Sequence, residues 1–87
     1  MRTIHKYLIG KDVQTLMIPE GAEILCVQVQ REHIQIWALV DTEKGKEPRT
    51  FVARRTGLGW FDPTGKYIGS VQVEGGRLEF HIFEVTA

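Results

Sequence analysis

The stretch "ILCVQVQREHIQIWALV", residues 24–40, decides the fold. Its period is two rather than 3.6. Leu25, Val27 and Val29 fall on one side of an extended chain, with Gln28 and Gln30 on the other. After Arg31-Glu32 the pattern resumes with Ile34, Ile36, Ala38 and Val40 on one side. Alternation of this kind marks half-buried strands, and the polar dipeptide between two such runs marks a turn. A hairpin is therefore expected here, with Cys26 inside an apolar strand as a buried, inert thiol.

The same period extends outward from this hairpin. In "VQVEGGRLEFHIF", Val71 and Val73 alternate, then Leu78, Phe80 and Ile82, with Gly75-Gly76 between them as a two-residue hairpin signal. "IPEG" at 18–21 reads as a turn and "DTEKGKEP" at 41–48 as a polar loop. Pro48 argues against a central strand there, because proline donates no ladder hydrogen bond. Strands are expected near 3–9, 13–18, 24–30, 34–41, 49–55, 66–73 and 78–85. No window carries a helical stripe of useful length. The fold class is all-β: a small antiparallel β-sandwich or barrel of about six to seven short strands, in one domain over 1–87.

Bulk composition narrows the function. A chain of 87 residues with 43% hydrophobic and 25% charged residues is ordinary globular material with a thin core. Self-association would enlarge that core, so a homo-oligomer is expected. Eleven basic and eleven acidic residues cancel, which argues against duplex nucleic acid as a partner. One cysteine excludes an intramolecular disulfide and points to a reducing compartment. The start "MRTIHKYLIGKDV" lacks the apolar run of a signal peptide, and no segment approaches a membrane span. The expectation is a soluble, cytoplasmic protein with no membrane partner.

Chemistry is concentrated in "ARRTGLGWFDPTGKYIG", residues 53–69. It is not a P-loop: Gly59 precedes Gly65 by six positions, and Tyr67 stands where the magnesium-binding hydroxyl belongs. Nor is it a dinucleotide fingerprint, which needs a third glycine and a following helix. Arg54, Arg55 and Lys66 are nevertheless suited to a phosphate-type anion. Trp60, Phe61 or Tyr67 would offer a flat surface for a base. Against this stands the plain alternative that Trp60 and Phe61 cap the core while the arginines sit in water. Alternation also sends Arg54 and Arg55 to opposite faces.

No catalytic arrangement stands out. His5, His33 and His81 lie on separate segments without metal-ligand spacing, although Glu79 and His81 share a strand face. Ser70 lacks the frame of a nucleophile elbow. The chain is expected to be non-enzymatic and to need neither cofactor nor metal. Trp37 and Leu39 share the side of their strand opposite the aliphatic set. A tryptophan and a leucine on a nominal solvent face suggest that this face is covered, by the chain itself or by a copy.

Four segments, "IHKYLIG", "IPEGAEILCVQVQ", "IWALVD" and "KYIGSVQVEGGRLEFHIFE", resemble a family of short bacteriophage and prophage proteins described only as a domain of unknown function. The resemblance implies a viral origin and an all-β fold, and no catalytic residue. It is weakest over 42–66, where the basic and aromatic residues gather. Small accessory phage proteins without catalytic motifs often act by binding. The expected function is therefore a counter-defence protein in the infected host's cytoplasm. It would sequester a nucleotide-type immune signal, such as a cyclic dinucleotide, between subunits. The alternative is a protein–protein module that inhibits a host protein, or a minor structural component of the virus.

Overall fold

The computed structural model describes residues 1–10, 12–60 and 65–85. Seven strands form in chain order: β1 (Arg2–Ile9), β2 (Val13–Pro19), β3 (Glu23–Gln30), β4 (His33–Asp41), β5 (Lys46–Arg55), β6 (Lys66–Val73) and β7 (Leu78–Val85). They pair antiparallel in two sheets, ordered β1-β4-β3 and β2-β5-β7-β6. Of the two architectures expected, sandwich and barrel, two separately paired sheets agree with the first. Among the described residues no helix is long and apolar enough to cross a membrane.

The sheets face one another through the residues that alternation assigns inward. Ile34 and Ile36 from β4, Phe51 from β5 and Ile82 from β7 are at most 2% exposed and belong to one cluster. A second cluster around Ile18, Ala38 and Val40 fills the other end. Each fully buried aliphatic or aromatic side chain contributes roughly 1.5–3 kcal/mol of transfer free energy. No polar side chain is fully buried among the described residues. Where the core opens to water, Arg49 and Glu84 close it. Arg49 Nε and Nη2 donate to the two carboxylate oxygens at 2.5 and 2.8 Å, and Nη1 donates to the Ala22 carbonyl at 2.6 Å. The bidentate carboxylate raises the Arg49 pKa above its already high ordinary value.

The turn at Arg31-Glu32 is the expected two-residue hairpin, flanked by the pair Gln30↔His33. Both residues take positive φ, 53° and 66°, although neither is glycine. Three details differ from the sequence reading. Ile24 pairs with Ala38 and Cys26 with Trp37, so Leu25 is an extra residue in a β-bulge. That bulge takes Leu25 off the inward side it would share with Val27 and leaves it 43% exposed, while Cys26, outward by alternation beside Trp37, is half-buried rather than buried. Second, β5 begins at Lys46 and takes in Pro48, opposite Met17 of β2. The proline is tolerated because pairing with β7 begins only at Thr50. Third, the last hairpin closes at Val73↔Leu78, so its loop is four residues long, with a 3₁₀ turn at Glu74–Gly76.

The edge strands β3 and β6 lie close without pairing. A β-carbon on Gly69 would stand 3.0 Å from Val27 Cγ1, so the missing side chain lets the two sheets meet there.

Candidate functional site

Alternation along β5 sends Phe51 and Ala53 into the core and Thr50, Val52 and Arg54 to the opposite side. On that outer side of the four-stranded sheet, register places Val52 between Val13 and Phe83, and Arg54 beside His81. Phe83 in turn pairs with Tyr67, and Ser70 with His81, after a bulge in β6 between Tyr67 and Gly69. Val52 is nevertheless 0% exposed, so this outer face is covered at its centre, while Val13 at its margin stays 55% exposed.

Part of the cover is the chain that follows β5. Its Trp60 ring lies 6.4 Å from that of Phe83, tilted by 50°. Tyr67 meets Phe83 edge-on at 5.2 Å. The Arg54 guanidinium sits 5.5 Å from the centre of the Trp60 ring, a cation–π distance. Alongside runs a polar chain. Tyr67 Oη and His81 Nδ1 are hydrogen-bonded at 3.0 Å, and Thr56 Oγ1 and His81 Nε2 at 2.9 Å. The Thr56 hydroxyl also donates to Glu79 Oε1 at 3.0 Å, and its amide donates to the Glu79 carbonyl at 3.0 Å. Both ring nitrogens of His81 are therefore engaged, and the imidazole is held as a structural linker. Among the described residues no set of three or more His, Cys, Asp or Glu side chains could hold a metal ion.

The five anion-site residues named from sequence divide in two. Arg54, Arg55 and Trp60 line one pocket of about 190 Å³, with Leu58 and Gly59 on its rim. Lys66 and Tyr67 line another of about 270 Å³, shared with Arg49 and Glu84. Phe61 lies outside the described residues. Sequence reasoning missed Phe83 as part of the surface around Trp60. The signal was available: Phe83 shares the outer face of β7 with His81, opposite Phe80 and Ile82.

The named interface residues, Trp37 and Leu39, lie on the outer face of the three-stranded sheet, with Ile4 opposite Leu39 and Lys6 opposite Trp37. Ile4 and Leu8 are each 54% exposed. No described element packs across this face.

These features define a small all-β protein with an aromatic and basic surface on one sheet and an open apolar surface on the other. The chain belongs to the family named as a domain of unknown function, DUF7352, whose model matches residues 1–87. No curated protein and no solved structure matches it.

Proposed function

We propose that the chain is a non-catalytic binding protein for a small, planar, phosphate-bearing molecule of the nucleotide type. The observation that carries this reading is the Arg54 guanidinium over the Trp60 ring, with Arg55 lining the same pocket. A base stacks on such a surface while the guanidinium groups take the phosphate. The pocket's 190 Å³ is below the roughly 300–1,000 Å³ of ordinary ligand sites. One copy would hold only part of a nucleotide, and a second copy would supply the rest. A homo-oligomer with a symmetric ligand such as a cyclic dinucleotide fits that arithmetic. The resemblance to bacteriophage proteins supports the biological setting, sequestration of a nucleotide signal used in antiviral defence.

Native mass spectrometry with a panel of cyclic and linear nucleotides tests the reading. An oligomer retaining a nucleotide in a ratio set by its symmetry is the expected result. Arg54→Ala then weakens binding by roughly 1.5–3 kcal/mol. A protein that retains none of the panel overturns it.

A protein–protein module is the second reading, favoured by Ile4 and Leu8 exposed beside Trp37 and Leu39. Its mark is self-association in sedimentation velocity that Ile4→Lys with Leu8→Lys abolishes without loss of fold. A monomer at every concentration would leave this face without the simplest of its partners, a second copy.

A further inference from the structure

The hairpin that decides the fold also builds a second polar cleft, on the sheet opposite the Arg54–Trp60 surface. Lys6 of β1, Gln30 of β3, Arg31 of the turn, and His33 and Gln35 of β4 line a cleft of about 350 Å³. No carboxylate lines it. The one acid of the turn, Glu32, is directed elsewhere, since its Oε2 accepts the backbone N–H of Glu74 at 2.8 Å. Among the described residues Lys6, Arg31 and His33 make no salt bridge.

The centre of the cleft is ordered rather than merely basic. Gln30 Oε1 accepts from Lys6 Nζ at 2.6 Å and from Gln35 Nε2 at 3.2 Å. That fixes the Gln30 amide and spends its acceptor on the protein, leaving its NH₂ group as a donor. Ammonium, guanidinium, amide and imidazole groups thus converge from three strands and a turn. A tetrahedral anion accepts hydrogen bonds from several directions at once, whereas a carboxylate is matched by a single planar fork. The volume exceeds what an isolated anion fills and lies within the range of small-molecule sites. Trp37, the register partner of Lys6, stands on the same outer face of the sheet, next to the cleft rather than in its lining.

We infer that this cleft is a phosphate site for a small phosphorylated molecule, with Lys6 and Arg31 as its principal contacts and His33 and Gln30 completing the shell. It shares no residue with the Arg54–Trp60 pocket and stands or falls separately.

The test is a titration followed by ¹H–¹⁵N NMR, using inorganic phosphate and adenosine monophosphate as probes. Saturable shifts confined to residues near Lys6 and 30–35 are expected, with the Trp37 indole responding to the nucleotide alone. Lys6→Met should weaken phosphate binding about 10-fold by removing a charge-assisted contact. Arg31→Gly should do the same, and glycine accepts the turn's positive φ, so lost binding cannot be assigned to a lost fold. Arg54→Ala should leave these shifts intact. Shifts that are absent, fall elsewhere, or persist unchanged in both Lys6→Met and Arg31→Gly would overturn the site. Loss with Arg54→Ala alone would transfer the binding to the other pocket and refute this one.

Discussion

Each sheet turns one face away from the core, and each of those faces is associated with one tryptophan. On the four-stranded sheet the chain returns over itself. Trp60 and Tyr67 crowd Phe83, and Val52 is sealed from water. On the three-stranded sheet Trp37 and Leu39 sit beside Ile4 and Leu8, both more than half exposed, and no described element covers them. Both faces are outward by alternation, so strand period alone does not separate them. What separates them is the length of chain available nearby. β5 is followed by a connection long enough to fold back, whereas β3 and β4 are joined by two residues that cannot reach either face. An outer apolar face therefore becomes a second small core where a long connection exists, and an open surface where it does not.

The largest effect that would break this contrast comes from truncating the covered face. Phe83→Ala should cost about 2–4 kcal/mol in urea unfolding, since it empties a site packed by two aromatic rings. Trp37→Ala, measured at a concentration that keeps the protein monomeric, should cost under about 1 kcal/mol. Equal costs would mean that the two faces are energetically alike.

Next in size is the seam where the sheets meet. Gly69→Ala forces a methyl against Val27, and should cost about 1–3 kcal/mol in the same assay. Adding Val27→Ala should recover part of that loss, because the two positions share one space.

A smaller change of opposite sign is expected at the turn on the open side. Arg31 holds φ at 53°, so Arg31→Gly should stabilise the fold by about 0.5–1 kcal/mol. An unchanged unfolding midpoint would mean that the arginine relieves its own strain through contacts of its side chain.

The smallest effect is in pH dependence at the other end of that face. The Glu43 backbone N–H, donating to Asp41 Oδ1 at 3.0 Å, is the main influence holding the Asp41 carboxyl below its ordinary range, helped by the Met1 ammonium at 3.3 Å and, less, by the Lys44 charge. A depressed carboxyl pKa contributes stability that is complete above the unfolded-state value and disappears as pH falls through the folded-state value. Asp41→Asn should therefore flatten the acid side of the stability profile slightly. A carboxyl resonance of Asp41 titrating at the unperturbed position would contradict the bond to Glu43.

Strand positions were legible because the alternation is local and nearly unbroken. The departures have physical causes that letters hide. In "ILCV" four apolar residues run together, so the bulge at Leu25 leaves no mark, and the side taken by Leu25 comes out wrong. Pro48 obeys its rule on one edge only, because β7 does not extend that far. The last turn recruits Glu74 as well as its glycines, at φ 54°, and so lengthens. Arg54, Arg55 and Trp60 could be grouped from sequence since seven positions span them. Lys66 and Tyr67 are nearly as close in the chain, but the bulge and the β6–β7 pairing bring them to another pocket. The Lys6–Arg31–His33 cleft was illegible, being assembled across β1, β3 and β4 by register alone.

The bond from the Glu74 amide to Glu32 ties the β3–β4 turn of one sheet to the β6–β7 loop of the other. Turn amides of this kind normally exchange with solvent deuterium almost at once. This one is held by a carboxylate from the other turn, and the bond must break when the two loops part. Its exchange rate is thus a clock for the breathing of one sheet against the other, readable at a single resonance. A ligand or partner that clamps the layers would slow it, even when bound at a face far from either loop.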